Sequence, residues 1–128
     1  MTVTAYISKQ DISRRQLLSD IHEIIIDREP KLTVEVGKMM AKEMILYKMG
    51  GIFKYGLASN KDYMSLHAMP IYGAPKLHEK YRKLLPQCNF QKGCMNFKQI
   101  DNLDIVKQMI KDCAAIDLVA MMEKRRKS

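Results

Sequence analysis

Three carboxylates have a spacing that could hold a metal ion. Asp20, Glu23 and Asp27 lie three and four residues apart, so they share one face if this segment is a helix. Hard cations favour carboxylate oxygens as ligands. The alternative is that these acids form the solvated side of an amphipathic helix and pair with neighbours such as Arg14 and Arg28. We favour the solvated face and keep the metal site as a hypothesis.

Basic side chains form a second pattern with chemical meaning. Lys76, Lys80 and Lys83 recur at four and three residues, so they form one ridge of a predicted helix, and Lys98 lies on a later predicted strand. The net charge of +8 would attract phosphates to such a surface. Part of that charge comes from a basic tail at 124–128, which we interpret as a solvated chain end. Weak binding of nucleic acid is therefore a hypothesis.

Aromatic residues alternate with lysines on the predicted strands. On an open face of a sheet, such residues can stack bases and hold phosphates. The alternative, which we favour, is that Phe53 and Tyr55 face the helices and fill the core. The residues concerned are Tyr47, Phe53, Tyr55 and Tyr63, with Lys48, Lys54 and Lys98.

The cysteines lack the spacing of a metal or redox motif. The chain has three cysteines, Cys88, Cys94 and Cys113, and no two of them have Cys-x-x-Cys spacing. We therefore predict that they are reduced thiols. Zinc held by Cys88, Cys94 and His78 is an alternative, but structural zinc sites use paired ligands at short spacing. Cys113 falls on an apolar helical stripe and is predicted to be buried.

No catalytic motif is present in the sequence. There is no Gly-x-Ser-x-Gly, no His-Glu-x-x-His, and no Gly-Lys-Ser/Thr after Gly50-Gly51. Nucleophilic catalysis needs a base within reach of the nucleophile, and His22, His67 and His78 are far apart in the chain. We predict that the protein is not an enzyme and has no cofactor, apart from the metal-site hypothesis.

Helical spacing of apolar residues predicts the first elements. Leu17 to Arg28 has the period of an amphipathic helix, Ser13 to Gln16 has the form of a capping box, and Pro30 predicts the stop. A shorter helix is predicted over Thr33 to Lys42, although Gly37 and two valines weaken it.

From Met44 the apolar period becomes two, which is typical of strands. Met44 to Met49 and Ile52 to Ser59 flank Gly50-Gly51, a pair that tolerates the positive φ angles of a tight hairpin turn. Asp62 to Met69 is predicted to be the third strand of a meander. Its inward residues are predicted to be Met64, Leu66 and Ala68.

The second half of the chain completes an α+β pattern. We predict a helix over Leu77 to Leu85, a fourth strand over Gly93 to Ile100, and a last helix capped by Asn102. The fold class is therefore a mostly antiparallel four-stranded sheet with helices packed on one face, in a single domain spanning 1–128. No secretory signal or membrane span is found in the sequence, so we expect a cytoplasmic protein.

Two segments resemble a known family. Gly51-Ile52-Phe53-Lys54-Tyr55 through His67 is similar to a strand written K-x-Y-I-S-L-Y, and Gln91 to Lys98 is similar to G-K-G-C-I-R-F-K before a helix opened by acids. Both patterns are those of the YdhG-like family, bacterial proteins catalogued as a domain of unknown function. The resemblance covers about residues 31–115.

The resemblance implies a frataxin-like α+β sandwich of two layers. It also implies a candidate role as an iron chaperone, with iron or an iron-handling protein as partner, for which Asp20, Glu23 and Asp27 would be the acids. A similar architecture occurs in the YjbR-like and TfoX-like families, which are linked to nucleic-acid binding.

Our leading interpretation is a non-catalytic binding domain whose ligand the sequence does not give. The alternative is a nucleic-acid-binding regulator that uses a basic surface; an oligomer is compatible with either. The lysines of that alternative are Lys76, Lys80, Lys83 and Lys98.

Overall fold

A computed structural model describes the backbone of residues 1–127 and the side chains of residues 1–124. The helices are α1 (Val3–Ser8), α2 (Ile12–Arg28), α3 (Met69–Gly73), α4 (Pro75–Leu84), α5 (Leu103–Ala114) and α6 (Leu118–Lys127). The strands are β1 (Thr33–Met39), β2 (Lys42–Met49), β3 (Ile52–Ser59), β4 (Met64–Ala68), β5 (Asn89–Gln91) and β6 (Cys94–Phe97).

The strands form one antiparallel sheet with the order β1-β2-β3-β4-β6-β5. The α+β class and the meander of β2, β3 and β4 are confirmed. The expected number of four strands is wrong, because β1 and β5 extend the sheet to six.

The helix predicted over Thr33 to Lys42 is wrong. The segment is strand β1, paired with β2 from Thr33 opposite Lys48 to Met39 opposite Lys42. Val34 and Val36 are stiff, β-branched residues that fit a pleated sheet, and pairing with β2 supplies the hydrogen bonds that a helix would have made internally.

Helix α2 begins earlier than the predicted capping box. Its N-cap is Asp11, whose carboxylate accepts a hydrogen bond from the Ser13 backbone N–H at 3.0 Å. Ser13 therefore lies inside the first turn. Asp and Ser are both good N-caps, so sequence preference alone does not separate the two positions.

The three two-residue hairpin turns of the sheet contain left-handed backbone, including Lys92 (φ 50°) between β5 and β6. Gly50 and Gly51, with φ of 57° and 81°, join β2 to β3 as predicted. The β1–β2 turn instead places Met40 and Ala41 at φ of 53° and 65°. Side chains with a Cβ rarely adopt this conformation, so the β1–β2 turn is strained.

The main core lies between the sheet and the helices. Leu18, Ile21 and Ile25 of α2 pack with Val106 and Ile110 of α5 against one face of the sheet. The expected alternation of the third strand is confirmed, since its inward residues all belong to this core. They are Met64, Leu66 and Ala68.

The opposite side of the sheet, here called the outer face, holds a small apolar cluster built from strand residues. Met44, Leu46 and Ala58 are buried there, with Met39 and Phe53 packed against them. No helix residue of the described chain belongs to this cluster. The cluster therefore lies on the sheet face opposite the main core.

The sequence did not predict helices α1, α3 and α6. Pro70 and Pro75 occupy first-turn positions of α3 and α4, where proline needs no N–H partner. The basic tail at 124–128 begins inside α6, and its side chains beyond Lys124 lie outside the described residues. None of the helices in residues 1–127 is long and apolar enough to cross a membrane.

Candidate functional site

Polar side chains are concentrated on the outer face where β4 and β6 pair. Ser65 lies opposite Asn96, and His67 lies opposite Cys94. Their neighbours along each strand point into the core, so strand alternation directs these four side chains outward.

Hydrogen bonds connect these side chains into one group. The Asn60 amide donates to Ser65 Oγ at 3.0 Å, and the Ser65 hydroxyl donates to Asn96 Oδ1 at 2.7 Å. The Cys94 thiol donates to the same Asn96 oxygen at 3.1 Å. We call Asn60, Ser65, His67, Cys94 and Asn96 the outer-face network. Its shared acceptor fixes the positions of the hydroxyl and the thiol relative to each other.

The imidazole of His67 lies next to the thiol of Cys94, with 4.0 Å between Nε2 and Sγ. Burial lowers the pKa of His67, and the charge of Lys42 lowers it further. Burial raises the pKa of Cys94, while a hydrogen bond with Ser65 and the Lys42 charge act in the opposite direction. Both groups are therefore neutral near pH 7, and the thiol is not activated as a nucleophile.

A glycine opens space beside this pair. Gly56 of β3 lies opposite His67, and a Cβ built on Gly56 would meet Met44 Sδ at 2.8 Å and Phe53 Cζ at 2.9 Å. The thioether of Met44 therefore fills the volume of the missing side chain. It lies on the same face as His67 and Cys94.

Two clefts lie at one end of the sheet and share Tyr63. The first, of about 510 Å³, lies between α1 and the β3–β4 turn and includes Lys42 and Asn60 in its lining. The second, of about 410 Å³, includes Asn96 and Lys98. The outer-face network thus borders both clefts, through Asn60 and Asn96.

A second polar group is enclosed in the core. The fully buried Lys54 ammonium lies 2.6 Å from the buried Glu29 carboxylate, which also accepts a hydrogen bond from the Tyr55 hydroxyl. Lys54 is the extra residue of a β-bulge, since Tyr55 pairs with Tyr47 while Phe53 pairs with Lys48. This group joins β3 to the end of α2 and gives a ligand no access.

The acids predicted to bind metal remain on the surface of α2. Glu23 and Asp27 are exposed, and Asp20 is partly exposed and accepts a hydrogen bond from Gln16 at 2.8 Å. Within residues 1–127, no group of three or more His, Cys, Asp or Glu side chains is arranged to hold a metal ion. The iron hypothesis stays a prediction.

The lysines of the nucleic-acid alternative have different surroundings. Lys80 pairs with Asp112 at 2.9 Å, and Lys83 pairs with Glu79 at 3.4 Å. Lys76 is exposed on α4. Lys98 lines the second cleft, so the structure separates it from the ridge on α4.

The aromatic platform considered for the open sheet does not form. Tyr47, Tyr55 and Lys54 are buried on the helix side, as the core interpretation of Tyr55 requires. Phe53, expected with Tyr55 in that core, instead packs on the outer face, because the bulge at Lys54 shifts the alternation between them. Of the residues considered for the platform, Tyr63 lines both clefts, the first together with Tyr6 and the second together with Phe97.

Sequence reasoning missed the pair formed by His67 and Cys94. It considered Cys94 with Cys88 and His78, but Cys88 is buried in the core and His78 packs edge-to-face on Phe90. The available signal was strand alternation, which placed His67 outward in the third strand. Finding its partner required the pairing of β4 with β6, which the sequence pattern does not supply.

Comparison with models of known protein families gives no match, and comparison with curated proteins gives none either. Among solved structures, the fold is similar to the crystal structure of YdhG, a protein of the DUF1801 family from Bacillus subtilis. The TM-score is 0.64 at 13% sequence identity, and the match covers 84% of each chain. The chain has the fold of this DUF1801 protein. The structural resemblance to YdhG expected from the sequence is therefore confirmed.

Proposed function

We propose that the protein is a non-catalytic binding domain of the YdhG-like type, and that the outer face of its sheet is the binding surface. The observation that carries this proposal is the outer-face network, a hydrogen-bonded polar group on the sheet face opposite the main core, in which His67, Cys94 and Asn96 are partly exposed. Side chains held in fixed positions lose little entropy when a ligand binds, which is what a binding site requires.

The chemistry of the network supports binding rather than catalysis. The thiol of Cys94 has a raised pKa and the imidazole of His67 a lowered one. An activated cysteine has the opposite shift, because an adjacent imidazolium stabilises its thiolate. Two neutral groups side by side can donate and accept hydrogen bonds or ligate a metal.

The proposal is tested by recording amide NMR spectra while small polar fragments, namely amides, sugars and nucleosides, are added at millimolar concentration. We expect the shift changes to concentrate on Ser65, His67, Cys94 and Asn96. The double variant Ser65→Ala with Asn96→Ala should lose these changes, while Gln108→Ala on the exposed side of α5 should keep them. Changes confined to the helices, or none with any fragment, would overturn the proposal.

Nucleic acid is a second candidate, because Lys98 and Tyr63 line the same cleft. A cation beside an aromatic ring suits a phosphate next to a stacked base. With Lys80 and Lys83 in ion pairs, few lysines of the ridge remain to release counterions. We therefore expect weak binding that is lost near physiological salt.

A labelled single-stranded oligonucleotide measures this binding as salt is raised. Retention at about 0.15 M salt that Lys98→Glu abolishes and Lys76→Glu leaves intact would move this candidate to first place. Equal losses in both variants would indicate a general effect of charge.

Iron handling, the role implied by the family resemblance, would depend on the acids of α2. Their exposure and the absence of a metal-holding group in residues 1–127 lead us to expect weak binding or none. Anaerobic calorimetry with ferrous iron tests this, using the double variant Asp20→Asn with Glu23→Gln. A tight site that this variant abolishes would support iron handling and an acidic surface as the binding site.

A further inference from the structure

We propose that His67 and Cys94 bind a soft, thiophilic metal ion of low coordination number, Cu(I), with the thioether of Met44 as a third ligand. This inference rests on the proposed function, since it names a ligand for the outer face. It uses side chains of β4 and β6, which pair directly, and of β2, which β3 separates from β4.

The separation of the two principal ligand atoms fits a shared metal ion. Metal–sulfur and metal–imidazole bonds are about 2.3 Å and 2.0 Å, taking zinc as the guide. Their sum slightly exceeds the 4.0 Å between Cys94 Sγ and His67 Nε2. For an ion bonded to both atoms at those lengths, the S–metal–N angle is roughly 135°. This is wider than a tetrahedral angle and suits two or three ligands.

Met44 supplies the position for a third ligand. Its sulfur occupies the volume above Gly56, and Gly56 lies directly opposite His67 on the neighbouring strand. Opposite residues on one face of a sheet have Cβ positions about 5 Å apart. The thioether therefore lies on the same face, over the strand next to that of His67, and the flexible Met44 side chain must rotate toward the imidazole to form a third bond.

The charge and the type of the ligands favour a soft monovalent ion. A thiolate with a neutral imidazole and a neutral thioether balances one positive charge, and thiolate and thioether sulfur select Cu(I). Structural zinc takes four ligands and hard cations prefer oxygen. In the described chain no third His, Cys, Asp or Glu completes such a set. The Lys42 charge acts on both His67 and Cys94, which disfavours a divalent ion further.

Binding is a proton exchange without electron transfer. The Cys94 S–H, which donates to Asn96 in the free protein, releases its proton to solvent as the sulfur–copper bond forms. The lone pair of His67 Nε2 forms the second bond. Both side chains are partly exposed, so the ion can reach them from solvent without unfolding the sheet.

The test titrates the reduced protein under argon with Cu(I) held by a chromophoric chelator, whose absorbance reports the metal transferred. We expect one equivalent, bound with near-ultraviolet sulfur-to-copper absorption. Cys94→Ser should weaken binding by about 100-fold or more and remove the absorption, because an alcohol is a poor ligand for a soft ion. His67→Gln should weaken it by about 10-fold or more, and Met44→Leu by several-fold while keeping the apolar packing.

Two matched variants serve as controls. Cys88→Ala removes a buried thiol far from the outer face, and Met39→Leu removes a thioether from the same apolar cluster as Met44. Both should bind Cu(I) like the parent protein. Absence of stoichiometric binding, or binding that survives Cys94→Ser, would overturn the inference. If Cu(I) does not bind but the fragments still shift outer-face signals, the proposed function stands. If the Cu(I) titration and the fragment experiment both fail, the outer face is not the binding surface.

Discussion

The buried pair of Lys54 and Glu29 is the contact whose loss should cost the fold most. At 2.6 Å and an effective dielectric constant of about 20, the attraction between the two charges is about 6 kcal/mol. Removing each ion from water costs several kcal/mol, so the intact pair contributes little net stability. Removing one partner leaves the desolvation of the other without compensation.

We therefore predict that Lys54→Met destabilises the protein by about 3–5 kcal/mol. The methionine has a similar length and no charge, so the change isolates the loss of the ion pair from a loss of volume. Glu29 keeps its hydrogen bond from the Tyr55 hydroxyl, which does not replace the lost counter-charge. With a total stability of about 5–15 kcal/mol for a typical domain, such a loss is easily measured.

The assay is urea unfolding followed by circular dichroism at pH 7, with the slope checked for two-state behaviour. The matched variant combines Lys54→Met, Glu29→Met and Tyr55→Phe, which replaces the whole polar group by apolar side chains. We expect the triple variant to regain most or all of the lost stability. A loss below about 1 kcal/mol for Lys54→Met alone, or a triple variant less stable than the single one, would refute the reasoning.

Three further predictions concern stability. Leu66→Ala should cost about 2–4 kcal/mol through the cavity that it leaves in the core; a loss below about 0.5 kcal/mol in urea unfolding would contradict its packing. Replacing Met40-Ala41 by Asn-Gly should raise stability by about 1 kcal/mol or more, because both positions have left-handed φ; an unchanged urea midpoint would contradict the strain. A hydrogen bond from Tyr81 and the charge of Lys80 help to lower the pKa of Asp112, so their stabilisation is present above about pH 4 and fades as the pH falls further. Tyr81→Phe should therefore reduce the stability difference between pH 7 and pH 3, and an unchanged difference would argue against this contact.

Much of the fold could be predicted because its signals are local. The pair Gly50-Gly51 identified a tight hairpin, and the alternation of Met64, Leu66 and Ala68 gave the buried face of a strand. Each inference needs only neighbouring residues in the chain.

The errors arose where distant partners decide the structure. Thr33–Met39 contains two valines and a glycine, and pairing with β2 makes it a strand. The charge of Lys54 suggested an exposed position, yet the bulge and Glu29 bury it. In both cases tertiary contacts override a local preference.

The candidate site was inaccessible to sequence reasoning for the same physical reason. His67 and Cys94 become neighbours through the register of β4 with β6. Strand alternation predicts which side of a sheet a residue faces, but a shift of the register changes every partner across the pair. The cysteine was therefore assigned other neighbours.

The strand order has a consequence for how the chain folds. Along β1-β2-β3-β4 each strand pairs with the next in the chain, whereas β6 pairs with β4 across α3, α4 and β5. The hairpins of the first four strands close short loops and form quickly. The contact between α2 and α5, by contrast, joins elements far apart in the chain and closes a long loop. We expect the sheet to be structured in the folding transition state and the helix pair to dock late, an order that φ-values for Leu57 in β3 and Ile110 in α5 would test.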